Sequence, residues 1–456
     1  MKQNNAIGIF TGITLLFIAL FGSSCDDFLD IKPTGRVIPQ TAADFRQLLT
    51  EAYRTLPSAR GLTTFRSDEA DLSAGATEQD IASYKDIWTW NDDNPDGTTI
   101  SFEWKNYYTT LFIANSVIEN EKRMTGGLPN EVSQLTGEAY MLRALIHFTL
   151  VNLYAVPYHS ATAMTDKGIP LKLNTDVDQL VSRNTVQEVY TSILSDIGEA
   201  QKRLNVEQWD HGLNYRFNTI SAEAFKSRIY LYMGDWKASL AASRKVLLVK
   251  SELANLKING TNPPNHYTSV ESIVALEWLI TASYQNAGRI NSSLLNMYID
   301  GDRRKSNFYT AQTSSIYKLK KGGGIEYRCS FRTGEIYLNA AEAAIQDPET
   351  DIEIARDYLL TLLENRYTVN AFNTQKTTIE AMDKTALRTE IYQQRFLELA
   401  YEGHRWFDLR RTSQPKLEKV FRGETFTLEE SDLRYTLKIP NDAILNNPSL
   451  ANEYIY

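Results

Sequence analysis

Two tryptophans alternate with polar residues in the segment DIWTWNDDNPDG, which spans residues 86–97. A flat aromatic side chain can cover the apolar C–H face of a sugar ring, while nearby amide and carboxylate groups hydrogen-bond its hydroxyls. Trp88, Trp90 and Asn91 supply both kinds of group, inside a predicted loop at residues 57–100. This segment is therefore a candidate ligand-binding site. A competing interpretation is that the tryptophans only anchor the loop on the core.

A second loop-rich region, at about residues 255–330, adds Tyr284, Asn286 and Tyr309 as further candidate ligand-binding residues. The run KLKKGGG at 318–324 contains the Lys and Gly residues of a phosphate-binding loop. However, it lacks the GxxxxGK[ST] arrangement, so it is predicted to be a flexible surface loop.

The segment at residues 395–411 is dense in charge, and its spacing permits ion pairs on one helix face. The pairs three residues apart are Arg395–Glu398, Glu402–Arg405 and Arg405–Asp408. Glu398 and Glu402 invite comparison with the acid and base of a glycoside hydrolase. Two carboxylates one turn apart on a helix do not flank a bond from opposite sides, and the neighbouring arginines favour their ionised form. The segment is predicted to be a structural ion-pair network without catalytic residues.

Other types of functional site have little support in the sequence. The five histidines are scattered, with no HxxxH or HExxH, so neither a metal site nor a cofactor is predicted. The formal net charge of −8 disfavours nucleic acid as a partner, because phosphate neutralisation requires a basic surface.

The N-terminus has the layout of a secretory signal peptide over residues 1–24, with an apolar run from Ile7 to Phe21 that is too short for a comfortable membrane span. Small residues lead into Cys25, as in a bacterial lipoprotein signal in which this cysteine carries the lipid. Gly22 stands where a leucine is usual. The alternative is a secreted protein with a disulfide between Cys25 and Cys329. If Cys25 is acylated, Cys329 is predicted to be a buried, small apolar residue.

Helical periodicity predicts the elements that must position these residues. The predicted helices cover 41–56, 102–123, 131–156 with 185–203, a helix–turn–helix within 217–249, and the pair 332–344 with 351–366. The hydrophobic fraction of 43% is ample for a large core. These features predict a mostly α protein in which helix pairs resemble tetratricopeptide repeats.

Several blocks occur in an order that resembles the RagB/SusD family of surface nutrient-binding lipoproteins of the Bacteroidetes. They are CDDFLDIKP, EAYMLRALIHFTLVNLYAVP, DRRKSNFY, RTGEIYLNAAEA, QQRFLELAYEGHRWFDLRR and IPNDAILNNPSL. The resemblance covers essentially the whole chain after the signal peptide, and the block containing Arg395 to Arg411 is the most distinctive.

The resemblance implies an irregular α-helical solenoid with four tetratricopeptide-like helix pairs and long loop-rich insertions. It implies one domain at 25–456, with an N-terminal region to about 250, an insertion at about 255–330 and a C-terminal helical region from about 331. By the same match, Asp68, Trp88, Trp90 and Asn91 would face a glycan.

The resemblance also implies a function. The protein would be a non-catalytic lipoprotein on the outer-membrane surface that captures an oligosaccharide or another nutrient for a SusC-like TonB-dependent transporter. Two other hypotheses stay open from the residues themselves, namely a secreted all-helical glycoside hydrolase and a tetratricopeptide adaptor that binds peptides.

Overall fold

The structure is a computed structural model that describes residues 39–93, 95–313 and 316–451. The predicted signal peptide, the predicted lipid-attachment residue Cys25 and the following residues up to 38 lie outside the described residues. The described chain is mostly helical, which confirms the predicted fold class.

The helices are distributed along the whole described chain. In order they are α1 Ala42–Arg54, α2 Ala59–Arg66, α3 Glu78–Trp88, α4 Trp104–Asn120, α5 Pro129–Tyr154, α6 Val186–Gln201, α7 Thr219–Met233, α8 Trp236–Val249, α9 Ala282–Ala287, α10 Ser292–Met297, α11 Arg303–Phe308, α12 Thr333–Gln346, α13 Ile352–Glu364, α14 Val369–Glu380, α15 Lys384–Leu399, α16 Arg405–Thr412 and α17 Asn441–Asn446.

The strands are short and pair two by two in antiparallel ladders. The pairs are β1 Ala70–Leu72 with β3 Gly288–Ile290, β2 Ser272–Val274 with β6 Phe331–Arg332, β4 Tyr309–Ala311 with β5 Tyr317–Leu319, and β7 Leu417–Phe421 with β8 Glu424–Leu428.

Consecutive helices pack against each other, as the predicted helix pairs require. Helix α5 packs on α6, α7 on α8 and α12 on α13, while α12 also contacts α8 and α15. The turn between α7 and α8 follows the local chemistry. Gly234 ends α7 with a φ of 73°, and the Asp235 carboxylate caps α8 by accepting a hydrogen bond from Ala238 N at 3.1 Å.

The predicted loop at residues 57–100 is wrong, because this segment contains α2, β1 and α3. Every residue of α2 is buried, including its polar residues, and with eight residues the helix is too short to give a sustained period. Helix α3 has a clear start signal, since the Thr77 hydroxyl accepts a hydrogen bond from Asp80 N at 3.1 Å. Shortness explains why periodicity missed α2, whereas Ile81, Tyr84 and Trp88 of α3 do recur at helical spacing and were overlooked.

Two hydrophobic clusters form the core. The larger one lies among α1, α4–α8 and α12–α16. The smaller cluster joins α2 and α3 to residues 279–319 and to the end of α15. Residues 57–100 and 255–330 therefore pack on the same hydrophobic cluster. Cys329 is buried, as predicted, and burial raises the pKa of its thiol. Within the described ranges, no helix has the length and apolar character needed to cross a bilayer.

Candidate ligand-binding site

A surface groove of about 460 Å³ is lined by the loop after β1, by helix α9 and by the β4–β5 hairpin. We call it the hairpin groove. Its polar lining residues are Ser73, Gln285, Asn286, Arg289, Gln312 and Lys318, and its aromatic lining residues are Tyr284, Tyr317 and Tyr401.

Backbone hydrogen bonds hold the walls of the hairpin groove together. Strands β1 and β3 pair so that Leu72 lies opposite Gly288. Next to this pair, Ser73 N donates a hydrogen bond to Ala287 O at 2.8 Å. Helix α9 begins at a threonine cap, with the Thr281 hydroxyl accepting from Tyr284 N at 3.3 Å. Residues far apart in the chain thus form one wall.

Several side chains in the hairpin groove have unused hydrogen-bonding capacity. Asn286, Gln312 and Lys318 are exposed, and Tyr317 is half-buried. None of these four side chains hydrogen-bonds another residue within the part of the chain that the structure describes. Gln285 differs, because its Nε2 donates to Leu319 O at 3.1 Å. The groove therefore presents amide, ammonium and hydroxyl groups that a ligand can engage.

A second hollow of about 560 Å³ adjoins the hairpin groove and shares Tyr317 with it. We call it the basic hollow, because Arg303, Lys305 and Lys320 are among its lining residues. The Lys305 Nζ lies 5.9 Å from the centroid of the Tyr317 ring. A ligand stacked on this ring would therefore lie close to positive charge.

The structure brings three predicted site residues, Tyr284, Asn286 and Tyr309, to these two cavities. Tyr284 is 2% exposed and packs on Phe65 with ring centroids 4.3 Å apart. Tyr309 is also 2% exposed, and its hydroxyl shares a hydrogen bond of 3.1 Å with that of Tyr298. The two tyrosines form part of the cavity floors, while Asn286 is the predicted residue best placed to contact a ligand.

The two predicted tryptophans lie in the protein interior, with Trp88 0% and Trp90 1% exposed. Trp88 Nε1 donates to Ala70 O at 3.0 Å, and Trp90 Nε1 donates to Arg66 O at 2.9 Å. The Lys419 ammonium lies 5.2 and 4.3 Å from the two ring centroids. The rings thus anchor their segment on the core, as in the competing interpretation. Ligand contact by either ring stays a prediction that requires the ring to leave this position.

Asp68 joins the segment before β1 to the C-terminal helices. Its two carboxylate oxygens accept hydrogen bonds from Arg405 at 2.8 and 2.7 Å. The Arg405 guanidinium also lies 3.9 Å from the centroid of the Phe396 ring. Because both carboxylate oxygens are engaged within the protein, ligand contact by Asp68 stays a prediction.

Asn91 lies at a different pocket, of about 430 Å³, between the α3–α4 connection and residues 437–441. The polar groups of this pocket are largely paired. Asp86 accepts hydrogen bonds from Asn91 Nδ2 at 2.9 Å and from the Thr99 hydroxyl at 2.7 Å. Asp93 forms an ion pair with Lys438. This pocket therefore has less to offer a polar ligand than the hairpin groove, and Asn91 lies apart from Asn286.

The charged segment at 395–411 is interrupted, and the three predicted same-face ion pairs are wrong. Arg405 instead contacts Asp68 at 2.7 Å. Helix α15 ends at Leu399, and α16 begins at Arg405. Between them Tyr401 and Gly403 take φ values of 62° and 66°, which break the helix. The break separates Glu402 from the helix that contains Arg405, and Arg395 on one side of it contacts Asp408 on the other at 2.9 Å.

The charges of this segment instead form a buried ion network with residues distant in sequence. Glu398 accepts hydrogen bonds from Arg332 and Arg366, each at 2.8 Å, and both arginines also contact Glu271. Glu402 pairs with Arg332 at 2.7 Å. A structural ion-pair network is present as predicted, with different partners.

One member of the KLKKGGG run also joins this network. Lys321 is 1% exposed, and its ammonium lies 2.5 Å from Glu402. The prediction of a flexible surface loop is therefore wrong at Lys321. A buried lysine paired with a carboxylate ties the segment after β5 to the end of α15.

Two family models match the chain. One, described as "Starch-binding associating with outer membrane", matches residues 27–231, and the other, described as "SusD family", matches residues 205–456. The second match alone covers more than half of the sequence. The chain belongs to the SusD family.

Relatives of this SusD family chain are distant in sequence and close in fold. It is 28% identical to SusD-like protein P38 of Formosa agariphila over 247 residues, which are 51% of this chain and 45% of P38. A SusD superfamily structure from Bacteroides thetaiotaomicron has a TM-score of 0.73 at 22% identity, covering 90% of this chain and 98% of that one. A laminarin-binding SusD-like protein has a TM-score of 0.59 at 18% identity, with coverages of 82% and 92%.

Sequence inspection missed most residues of the hairpin groove and the basic hollow in this SusD family chain. Tyr317 was not singled out, although it follows an isoleucine and precedes a run of lysines in IYKLKK, at 316–321. A second basic block, DRRKSNFY, lies at 302–309. The recurrence of cations beside tyrosines in two segments of one loop-rich region was the available signal.

Glu69 is a fully buried carboxyl next to the groove residue Tyr401. Its Oε1 accepts a hydrogen bond from Tyr401 N at 2.7 Å, and its Oε2 accepts one from the Ser67 hydroxyl at 3.2 Å. Burial raises the pKa of Glu69 from 4.5 to about 7, and the hydrogen bond from Tyr401 offsets only part of this rise.

This pKa predicts a pH-dependent contribution of Glu69 to stability. Between its unfolded pKa of 4.5 and its folded pKa of about 7, the folded state binds a proton that the unfolded state lacks. The contribution is present below the lower value and is lost as the pH rises through the upper one. We expect Glu69→Gln to gain about 2–3 kcal/mol relative to wild type between about pH 5 and about pH 8, measured by urea unfolding.

The exposed Glu207 offers the matched control. Glu207→Gln should follow the wild-type curve over the same pH range. A Glu69→Gln curve parallel to that of the wild type would show that Glu69 is ionised in the folded protein at every pH tested.

Proposed function

We propose that this protein is a lipid-anchored surface protein that holds an oligosaccharide in the hairpin groove and delivers it to a SusC-like TonB-dependent transporter. The observation that carries the proposal is the set of polar side chains beside the half-buried Tyr317 ring that hydrogen-bond no other described residue. The bound sugar would be handed on unchanged.

The groove has the chemical groups that a sugar requires. The Tyr317 ring can cover the C–H face of a pyranose. The Asn286 and Gln312 amides each carry two N–H donors and a carbonyl acceptor, so each can satisfy both roles of a sugar hydroxyl. Short strands and a capped helix hold these side chains on the smaller hydrophobic cluster, which lowers the entropy cost of binding.

Binding is favoured over hydrolysis by the composition of the groove. A glycoside hydrolase needs two carboxyl groups on opposite sides of the scissile bond. The described residues that line the hairpin groove include no Asp or Glu. The buried carboxylates Glu398 and Glu402 are engaged by arginine and lysine and do not line the groove.

The comparisons support a glycan as the ligand and the outer membrane as the location. The family model for the N-terminal half is described as starch-binding and outer-membrane-associated, and one structural relative binds laminarin. Acylation of Cys25 would supply the membrane anchor, because removal of a signal peptide at residues 1–24 would leave this cysteine at the mature N-terminus.

Removing the two central groove contacts should weaken glycan binding. The full-length protein, purified in detergent, is screened against soluble polysaccharides that include starch and laminarin, and the best ligand is titrated by calorimetry. We expect Asn286→Ala with Tyr317→Ala to lower its affinity at least tenfold, through loss of about one hydrogen bond and one stacking contact. Unfolding temperature should change little, since Asn286 is exposed and Tyr317 is half-buried.

A matched double variant, Asn373→Ala with Tyr230→Ala, removes the same residue types away from the groove, at an exposed and a half-buried position. It should bind as the wild type does. Equal affinity of the groove variant and the wild type would reject the site, and failure to bind any polysaccharide would reject the function. Recovery of a TonB-dependent barrel with the tagged protein from native outer membranes tests the delivery step, and recovery of the protein alone would count against it.

A further inference from the structure

The basic hollow concentrates positive charge on a protein whose formal net charge is −8. Arg303, Lys305 and Lys320 line the hollow, and Lys318 lines the adjoining hairpin groove. Asp300 is the exposed carboxylate among the described lining residues of the hollow. Cations therefore outnumber accessible carboxylates where the two cavities meet.

These cations are not neutralised by neighbouring carboxylates. Within the described ranges, Arg303, Lys305 and Lys318 form no salt bridge, and the Lys320 ammonium donates to the Ser306 carbonyl at 3.1 Å. The cation Arg289, in contrast, has a carboxylate 3.4 Å away. Unpaired cations around a cavity attract anions and hold them by charge-assisted hydrogen bonds.

The other carboxylate of the hollow is already engaged. Asp302 is buried, and its carboxylate oxygens accept hydrogen bonds from the Arg304 guanidinium, the shortest of them at 2.7 Å. The negative charge of Asp302 is thus neutralised by this ion pair within the protein. Among the described lining residues, Asp300 alone is left to oppose the cations, so an anion entering the hollow meets a net positive environment.

Tyr317 connects the positive charge to the sugar-stacking surface. It lines both cavities, and Lys305 Nζ lies 5.9 Å from its ring centroid. We propose that the ligand of this protein is an acidic glycan, whose ring stacks on Tyr317 while its carboxylate or sulfate groups enter the basic hollow. This inference rests on the proposed function and specifies its ligand class.

The test compares glycans that differ only in charge. Polygalacturonate and its methyl ester share a backbone and differ in free carboxylates. Dextran sulfate and dextran likewise share a backbone and differ in sulfate groups. We expect the full-length protein to bind at least one acidic member at least tenfold more tightly than its neutral partner in low salt. The advantage should shrink in high salt, because ions screen the attraction. The preferred pair identifies the anionic group as carboxylate or sulfate.

Charge removal in the hollow should act on the acidic ligand alone. We expect Lys305→Gln with Lys320→Gln to weaken binding of the acidic member about fivefold to tenfold and to leave its neutral partner unaffected. The control variant Lys105→Gln with Lys122→Gln removes two exposed lysines outside both cavities and should bind as the wild type does.

The outcomes separate this inference from the proposed function. If neutral glycans bind as tightly as their acidic partners, the inference is wrong and the glycan-binding function stands. If poly-L-glutamate binds as tightly as the acidic glycan, with the same dependence on Lys305 and Lys320, the hollow is a general anion-binding surface and the inference is wrong. Binding of no glycan at all rejects both.

Discussion

Replacing Trp88 with alanine is expected to lower the free energy of unfolding by about 3–5 kcal/mol. The side chain is 0% exposed and meets Phe421 and Phe426 edge-on, with ring centroids 6.2 and 5.8 Å away. Its indole N–H also donates to the buried Ala70 carbonyl. Truncation leaves a cavity and an unpaired carbonyl in the cluster below the hairpin groove. Chemical denaturation monitored by circular dichroism measures the loss.

Trp236→Ala is the matched control, because Trp236 is half-buried at the start of α8. Trp236→Ala should lower the free energy of unfolding clearly less than Trp88→Ala does. An equal, small cost for both variants would mean that the Trp88 ring is not part of the core, and would favour its interpretation as a ligand contact. Trp88→Phe keeps most of the ring, so it should recover part of the lost stability.

Neutralising Glu398 should lower the free energy of unfolding by as much as removing the Trp88 side chain does. Its carboxylate lies between Arg332 and Arg366, and all three side chains are buried. Burial disfavours the charged form, but the two guanidinium groups outweigh this effect and hold the pKa of Glu398 well below its usual range. Glu398→Gln removes one of the carboxylates that surround these guanidinium groups, so the buried network gains an uncompensated positive charge. We expect the free energy of unfolding to fall by about 3–5 kcal/mol.

An exposed ion pair supplies the control for this prediction. Lys237 and Glu349 form a salt bridge with side chains that are 63% and 73% exposed. Glu349→Gln should leave the urea midpoint unchanged within error, because water replaces the lost partner. A Glu398→Gln protein as stable as wild type would show that the network contributes no net stability. The double variant Glu398→Leu with Arg366→Met should lose less than Glu398→Gln, since it buries no unpaired charge.

The long amphipathic and apolar helices could be predicted from the sequence. The predicted helix at 185–203 and the helix–turn–helix within 217–249 correspond to α6, α7 and α8. These elements rest on interactions between residues three or four apart, on capping side chains and on a turn glycine, which are all local in the chain. In contrast, helix α2 has eight residues, too few for a sustained period, so these local signals did not reveal it.

The candidate site could be predicted only in part. The loop-rich composition of residues 255–330 drew attention to Asn286, which lines the hairpin groove in the structure. It gave no means of separating the exposed Asn286 from the buried Tyr284 beside it. Tyr317 was missed because its value depends on partners from α9, α11 and the loop after β1 that meet only in the fold.

The sequence by itself determined the helical class of this protein, its family and the absence of a basic character suited to nucleic acid. Only the tertiary structure decided that Trp88 and Trp90 are core residues and that Glu398 pairs with Arg332 and Arg366. It also decided that the cations of the basic hollow around Tyr317 form no salt bridge with any described residue. The physical reason is that burial and ion pairing depend on distances in space. These contacts join residues tens to hundreds of positions apart, whereas helix periodicity and capping act within a few residues.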